Sequence, residues 1–248
     1  MKDYLVFTLA APFSSFGSVA GNERRGTLPH PGHSMLVGLL AAALGIRREE
    51  EDRLGALSDA CRFGVKICKP GNLMVDYHTV QSAKRKKNFA PTTRRQMLDE
   101  GERTTILTRR EYLVDTHFTI AVDVVASTVT IDDLSQALRG PHFVLYAGRK
   151  ACTLGLPPNP QTISAASIDE SFAQYDQLTE NAASIFWTGT LDESNVIVDA
   201  RLKDANTPGI RQRRRSKPID RGTWRFDTLD ELVLSPRPAP DPREKDDT

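Results

Sequence analysis

Cysteine is scarce in this 248-residue chain. Cys61, Cys68 and Cys152 are odd in number and form no CxxC pair, which excludes a disulfide framework and a zinc knuckle and reads as three reduced core thiols. Long apolar runs are missing too. The longest, Ser34 to Ile46 (SMLVGLLAAALGI), has 13 residues, short of the roughly 20 that a membrane-spanning helix needs. The opening MKDYLVFTLAAPF has an aspartate ahead of its apolar run and no small-residue cleavage site after it. It does not read as a signal peptide, so a cytoplasmic protein without membrane association is expected. Catalytic signatures are absent as well. There is no GxxxxGK[ST] and no GxGxxG after a strand, which removes phosphate-loop triphosphatases and dinucleotide binders. The histidines His30, His33, His78, His117 and His142 lie in unrelated segments without HxxxH or HExxH spacing, so no metal site and no cofactor is expected. No serine sits in a GxSxG elbow. Charge of one sign is not in excess either, since 33 Lys and Arg face 32 Asp and Glu.

The balance of charge hides a segregation. Residues 81 to 110 hold nine basic residues, including Lys84, Arg85, Lys86, Lys87, Arg94, Arg95, Arg103, Arg109 and Arg110, against three acidic ones. Residues 201 to 225 hold nine more, with Arg211, Arg213, Arg214, Arg215 and Lys217 at their centre, against two acidic ones. The remainder of the chain is acidic. A chain of this kind has local polyanion-binding faces rather than general stickiness, and its partner is phosphate-rich. The plain alternative is that KRKK and RQRRR are solvated loops. Hydrophobic residues make up 39% of the chain and charged ones 26%, a globular composition, and the length suits one large domain with an insertion or two small ones.

Alternating β-branched and aromatic residues predict a first strand over Asp3 to Ala10, then a polar loop over Ser14 to Pro31. The run from Ser34 to Ile46 predicts a buried helix closed by Gly45, and REEEDRLGALSDAC a second one with acidic residues in its first turn. FGVKICK, FTIAVDVVA, HFVLYAG and NVIVDARL read as strands. TIDDLSQALRG reads as a helix with Thr130 or Asp132 as N-cap and Gly140 as stop. Leu156 to Ser167 is a Pro-, Ser- and Asn-rich connection. Setting aside a basic insertion, the order is βαββαβ, an α+β fold of the ferredoxin-like kind: an antiparallel sheet with helices on one face and the other face free to bind. RNA-recognition domains use that geometry, although their short aromatic-rich strand motifs are absent here. Residues 1 to 225 are expected to form this domain and 226 to 248 a tail, disordered from about 236.

Polar and basic words cluster at the expected strand ends: Arg24 and Arg25 in the first loop, His33 and Ser34 at the helix entry, DYHTV (Asp76 to Val80), RREYL (Arg109 to Leu113) and YAGRKAC (Tyr146 to Cys152). The helix entry offers unpaired amides to a phosphate. Arg149 and Lys150 follow an expected strand and a glycine, so they can reach a phosphate, unless they are spent on ion pairs within the chain.

These words, in this order and together with APFSSFG and PGHSMLVGLLAAALGIRR, resemble the CasD-type subunits of the type I-E CRISPR Cascade complex, members of the RAMP superfamily. The likeness is clear over about residues 1 to 155 and weaker beyond. It implies a ferredoxin-like domain with an inserted thumb at about 76 to 112. It also implies a role as the RNA-binding subunit that grips the 5′ handle of the CRISPR RNA and caps the backbone filament. The backbone and large subunits of Cascade would be its partners, and target DNA an indirect one. RNA-binding residues on this reading are Arg24, Arg25, His33, Ser34, Tyr77, His78, Arg94, Arg95, Arg109, Arg110, Tyr112, Arg149, Lys150, Arg213, Arg214 and Arg215. His33 stands where relatives carry a lysine or arginine, which implies a weaker, pH-sensitive phosphate contact. The alternative is a metal-independent endoribonuclease, with Tyr77, His78 and Lys150 supplying base, acid and cation around a 2′-hydroxyl nucleophile. No neighbour in the sequence is an evident partner to tune His78 as a base, so binding without chemistry is the expected role.

Overall fold

A first strand, β1 (Lys2–Ser14), opens the computed structural model, which describes residues 1–17, 23–83, 92–99, 103–125, 129–183, 195–202, 208–220 and 225–234. A two-residue strand β2 (Arg24–Arg25) follows, then helices α1 (His33–Ala43) and α2 (Glu51–Ala60) and strand β3 (Cys61–Lys69). Next come β4 (Asn72–Ala83), a short helix α3 (Arg94–Asp99) and the 22-residue β5 (Arg103–Val124). The chain continues through α4 (Ile131–Arg139), β6 (Gln161–Ala165), α5 (Ile168–Ala183), β7 (Val196–Asp199), a 3-10 turn (Ala200–Leu202), β8 (Ile210–Asp220) and β9 (Arg225–Leu234). The strands join in one sheet with the order β6-β1-β5-β3-β7-β9-β8, and β2 and β4 both pair with β5.

At the centre, β6, β1, β5 and β3 are mutually antiparallel, with α1 and α2 linking β1 to β3 and α4 leading from β5 toward β6. Alternation along the strands sends side chains to opposite faces. Leu5, Phe7 and Leu9 of β1, Phe63 and Val65 of β3, and Phe118, Ile120 and Val122 of β5 pack with Leu36, Leu40, Leu54, Leu57, Leu134 and Leu138 of α1, α2 and α4. The expected helix boundaries follow from local chemistry. Thr130 and Asp133 close a reciprocal capping box on α4, and α1 stops where Gly45 takes a φ of 74°, letting Ile46 N–H reach the Ala41 carbonyl.

Four features depart from the sequence expectation. The opposite sheet face is not free: α5 lays Ile168, Phe172 and Tyr175 against Tyr4, Val6 and Ala121, in a second core that also holds Val198, Leu232 and Leu234. HFVLYAG is not a strand, because the amides of His142 and Phe143 bond to the Ala43 and Ala42 carbonyls and satisfy the end of α1 instead of a sheet ladder. The strand that completes the four-stranded centre is β6, inside the segment expected to be only a connection. Residues 226 to 234, expected as part of the tail, belong to β9 (Arg225–Leu234), which pairs with β7 and β8. The remaining tail, including the part expected to be disordered, lies outside the described residues.

The basic insertion is a long antiparallel ribbon. β4 pairs with the N-terminal half of β5 from Asn72↔Val114 to Ala83↔Arg103, and α3 lies near its end. Both faces carry exposed side chains, among them Leu73, Val75, Tyr77 and Ile106, so the ribbon builds no core of its own. The ribbon leaves the sheet at Asp115, whose φ of 63° bends β5 and which pairs with Lys69 at the end of β3. The ribbon runs through the segment read from the sequence as a thumb, 76 to 112; KRKK, 84 to 87, lies outside the described residues. Among the described residues no helix is long and apolar enough to cross a membrane.

Candidate nucleic-acid interface

Strand pairing brings four of the expected arginines into two adjacent rows at the base of the ribbon. Arg24 and Arg25 of β2 run parallel to β5 and register with Arg109 and Arg110, tied by a bond from the Arg109 amide to the Glu23 carbonyl. On its other side β5 sets Arg109 opposite Tyr77 and Arg110 opposite Asp76. Because successive residues of a strand face opposite ways, Arg24, Arg109 and Tyr77 form a row on one face, and Arg25, Arg110 and Asp76 on the other. Among the described residues, Arg25, Arg109 and Arg110 have no carboxylate within ion-pair distance, which leaves three cations for an external anion.

Glu111, buried at this junction, holds the patch in place. Its carboxylate accepts from Arg24 Nε at 2.7 Å and from the Thr27 amide at 3.2 Å, and the bond from Arg24 holds its pKa below the usual carboxylate range. Its backbone carbonyl accepts from Ser15 Oγ and from a guanidinium nitrogen of Arg149. Arg149 also donates to the Arg25 carbonyl at 2.9 Å and lies 4.8 Å from the ring centre of Tyr112. The words APFSSFG and YAGRKAC meet here: the Ser15 amide bonds to the Ala147 carbonyl. Gly148, at φ 90°, packs so tightly on the Ser15 carbonyl that any Cβ would overlap it. Phe13, Ser15, Thr27 and Glu111 belong to the site without having been expected there, although Phe13, Ser15 and Glu111 stand inside the words APFSSFG and RREYL.

The other expected residues fall elsewhere. Arg94 and Arg95 are exposed on α3, where Arg94 bonds to the Gln81 carbonyl. Lys150 is exposed on the loop beside Arg149. Ser34 is half-buried in the first turn of α1. His33 is buried: its Nε2 lies 2.9 Å from Ser58 Oγ, its ring meets Phe63 edge-on, and burial pulls its pKa down to about 4. It is a neutral core residue and not a phosphate contact, because the N-terminal turn of α1 is covered by β8, whose Arg214 guanidinium lies over Gly32. Arg213 and Arg215 point outward from β8, with Arg213 bonded to Asp230. Arg214 faces inward with its side chain 11% exposed, donating to the His30 carbonyl and lying 3.8 Å from Glu231. Burial lowers the pKa of Arg214, and the Glu231 charge opposes that shift. RQRRR is therefore neither a solvated loop nor one patch, but a strand with two differently used faces.

The alternative cleavage set is not assembled. Tyr77 and His78 are neighbours in β4 and face opposite ways, and Lys150 lies on the loop that packs against β1. His78 does have a partner that the sequence reading lacked: Asp76, two residues away on the same ribbon face, bonds to its Nε2.

Comparison with known proteins gives the family. A family model described as "CRISPR-associated protein (Cas_Cas5)" matches residues 4–230. The chain is 32% identical over 185 residues to the CRISPR system Cascade subunit CasD of Escherichia coli (strain K12), covering 71% of this chain and 78% of that protein. Among solved structures, a chain of a CRISPR RNA-guided surveillance complex superposes with a TM-score of 0.62 at 24% identity, covering 94% of this chain and 90% of its own. One described as a crystal structure of a Cas protein does so with 0.59 at 25%, covering 94% and 95%. The chain belongs to the Cas5 family of CRISPR-associated proteins.

Proposed function

We propose that this chain is a subunit of a Cascade-type CRISPR surveillance complex and holds the 5′ handle of the CRISPR RNA at the base of the ribbon, in antiviral defence. The observation that carries the reading is the convergence of Arg24, Arg25, Arg109 and Arg110 on adjacent strands, with Arg149 and Tyr112 beside them. Guanidinium groups fix a nucleic-acid strand through its phosphates, and an aromatic ring is the usual platform for an unstacked base. The four central strands follow the order of a ferredoxin-like unit, and the ribbon is its thumb. The outward residues Arg213 and Arg215, the tip residues Arg94 and Arg95, and Lys150 on the loop beside Arg149 extend the basic surface along the RNA. Backbone and large subunits of the complex are the protein partners, and target DNA is met through the guide.

The role is binding and not cleavage. Tyr77 faces away from the Asp76–His78 pair, so the acid of the cleavage reading is not beside its base and repeat RNA incubated with the chain in chelator stays intact. The deciding experiment is purification of the chain with bound RNA and sequencing of the RNA ends. A shared repeat-derived 5′ end supports the assignment, and random cellular RNA overturns it. The double variant Arg109→Ala, Arg110→Ala weakens handle-containing and scrambled RNA alike, with the slope of log affinity on log salt shallower by about one for each phosphate it leaves unneutralised.

A further inference from the structure

Phe13 is an exposed aromatic residue outside both cores. It lies near the end of β1, opposite Val114, in the word APFSSFG, and 42% of its surface is exposed. A lone exposed apolar side chain is ordinary on a protein surface. This one has company: Tyr112 meets it edge-on, with ring centres 6.2 Å apart and planes at 79°, and the guanidinium of Arg149 lies over Tyr112. Tyr112 is partly buried against the core, and Arg149 is held by two backbone carbonyls, so the support under Phe13 is rigid. The cations on its face of the strand, Arg25 and Arg110, are among those left for an external anion. Protein docking patches are apolar at the centre and depleted in charge. An open ring on a fixed aromatic and guanidinium support, with two cations on the same strand face, matches single-stranded nucleic acid, whose phosphates need charge and whose bases need a flat apolar face.

We propose that Phe13 is a base-stacking residue: its open ring receives one unstacked nucleobase of the bound RNA, with Tyr112 and Arg149 fixing the ring in place. The inference rests on the reading of the ribbon base as an RNA site and adds the group that is read there. Stacking on a ring has no hydrogen-bond code, so the position tolerates any base and penalises the absence of one.

The test uses the full chain and single-stranded repeat-derived RNA carrying 2-aminopurine at each position in turn. Wild type is expected to change the fluorescence of one position strongly, and an abasic site there to cost about tenfold in affinity. Phe13→Leu loses both effects while keeping the salt dependence, and Phe13→Trp restores them. Phe13 is exposed, so both variants keep the melting temperature of wild type. If wild type binds RNA and Phe13→Leu binds it equally well with the same fluorescence, the stacking role is wrong and the RNA site stands. If Phe13→Leu keeps RNA affinity and loses a protein subunit, Phe13 is a protein contact and the inference falls. Failure of wild type to bind any RNA removes the site and the stacking role together.

Discussion

The ribbon base and the β8–β9 hairpin are equally rich in arginine and use it in opposite ways. At the ribbon base the arginines lie on a strand patch with little core behind it, and Glu111 neutralises only Arg24. In β8, Arg214 is turned inward to lie over Gly32 at the start of α1, between His30 and Glu231, while Arg211 and Arg213 share Asp230 on the outside. The same residue type is left without a carboxylate partner in one place and is structural in the other. What separates them is whether the strand has a helix packed on the face to which the side chain points.

The largest effect expected from this contrast is on stability. Arg214→Ala leaves Glu231 buried without its cation and should cost about 3–5 kcal/mol in denaturant unfolding. The ribbon counterpart Arg109→Ala should change stability by less than about 0.5 kcal/mol and weaken RNA instead. Equal stability losses in the two variants would erase the distinction.

Acid should act on the hairpin side through two buried histidines. His30 is buried beside Arg214 and His33 is buried against Phe63, and burial, helped by the Arg214 charge at His30, lowers both pKa values to about 4. In the unfolded chain these groups titrate near pH 6.5, so between about pH 6.5 and 4 the unfolded state binds more protons than the folded one. Stability is complete above that window and falls as pH drops through it, by about 3 kcal/mol for each histidine. Unfolding measured at pH 7 and pH 4.5 checks this. In His33→Phe part of the pH dependence should disappear, and an unchanged slope would show that His33 is already protonated when folded.

Shortening the ribbon should have the smallest effect on folding. Replacing residues 84–102 by Asn-Gly closes Ala83 onto Arg103 with a two-residue turn and leaves both cores untouched. Melting should stay within a few degrees of wild type, and assembly onto guide RNA should fail. A large stability loss would show that the segment supports the sheet.

Much of this was legible because it is local. The capping box at Thr130 and Asp133, the Gly45 stop and the two-faced apolar run of β1 depend on neighbours a few residues away, and the structure has them where the pattern places them. α5 carries equally local signals that the expected connection left out: Ser167 caps Glu170, and Ile168, Phe172 and Tyr175 recur at helical spacing. HFVLYAG shows the limit of pattern. Its alternation suits a strand, but backbone amides take the partner that is present, and here that partner is the carbonyl end of α1, about a hundred residues earlier in the chain.

By itself the sequence determined the family, the two basic segments, three of the four central strands and the helices α1, α2 and α4, because composition, periodicity and ordered motifs are properties of the chain alone. Only the tertiary structure decided which arginines are free. Arg213 and Arg214 are adjacent in sequence, and one side chain points to solvent while the other enters the protein beside His30 and Glu231. A strand turns successive residues to opposite faces, and which face is buried depends on α1, about 180 residues away, so no reading of the basic run alone could tell a ligand-binding guanidinium from a buried one.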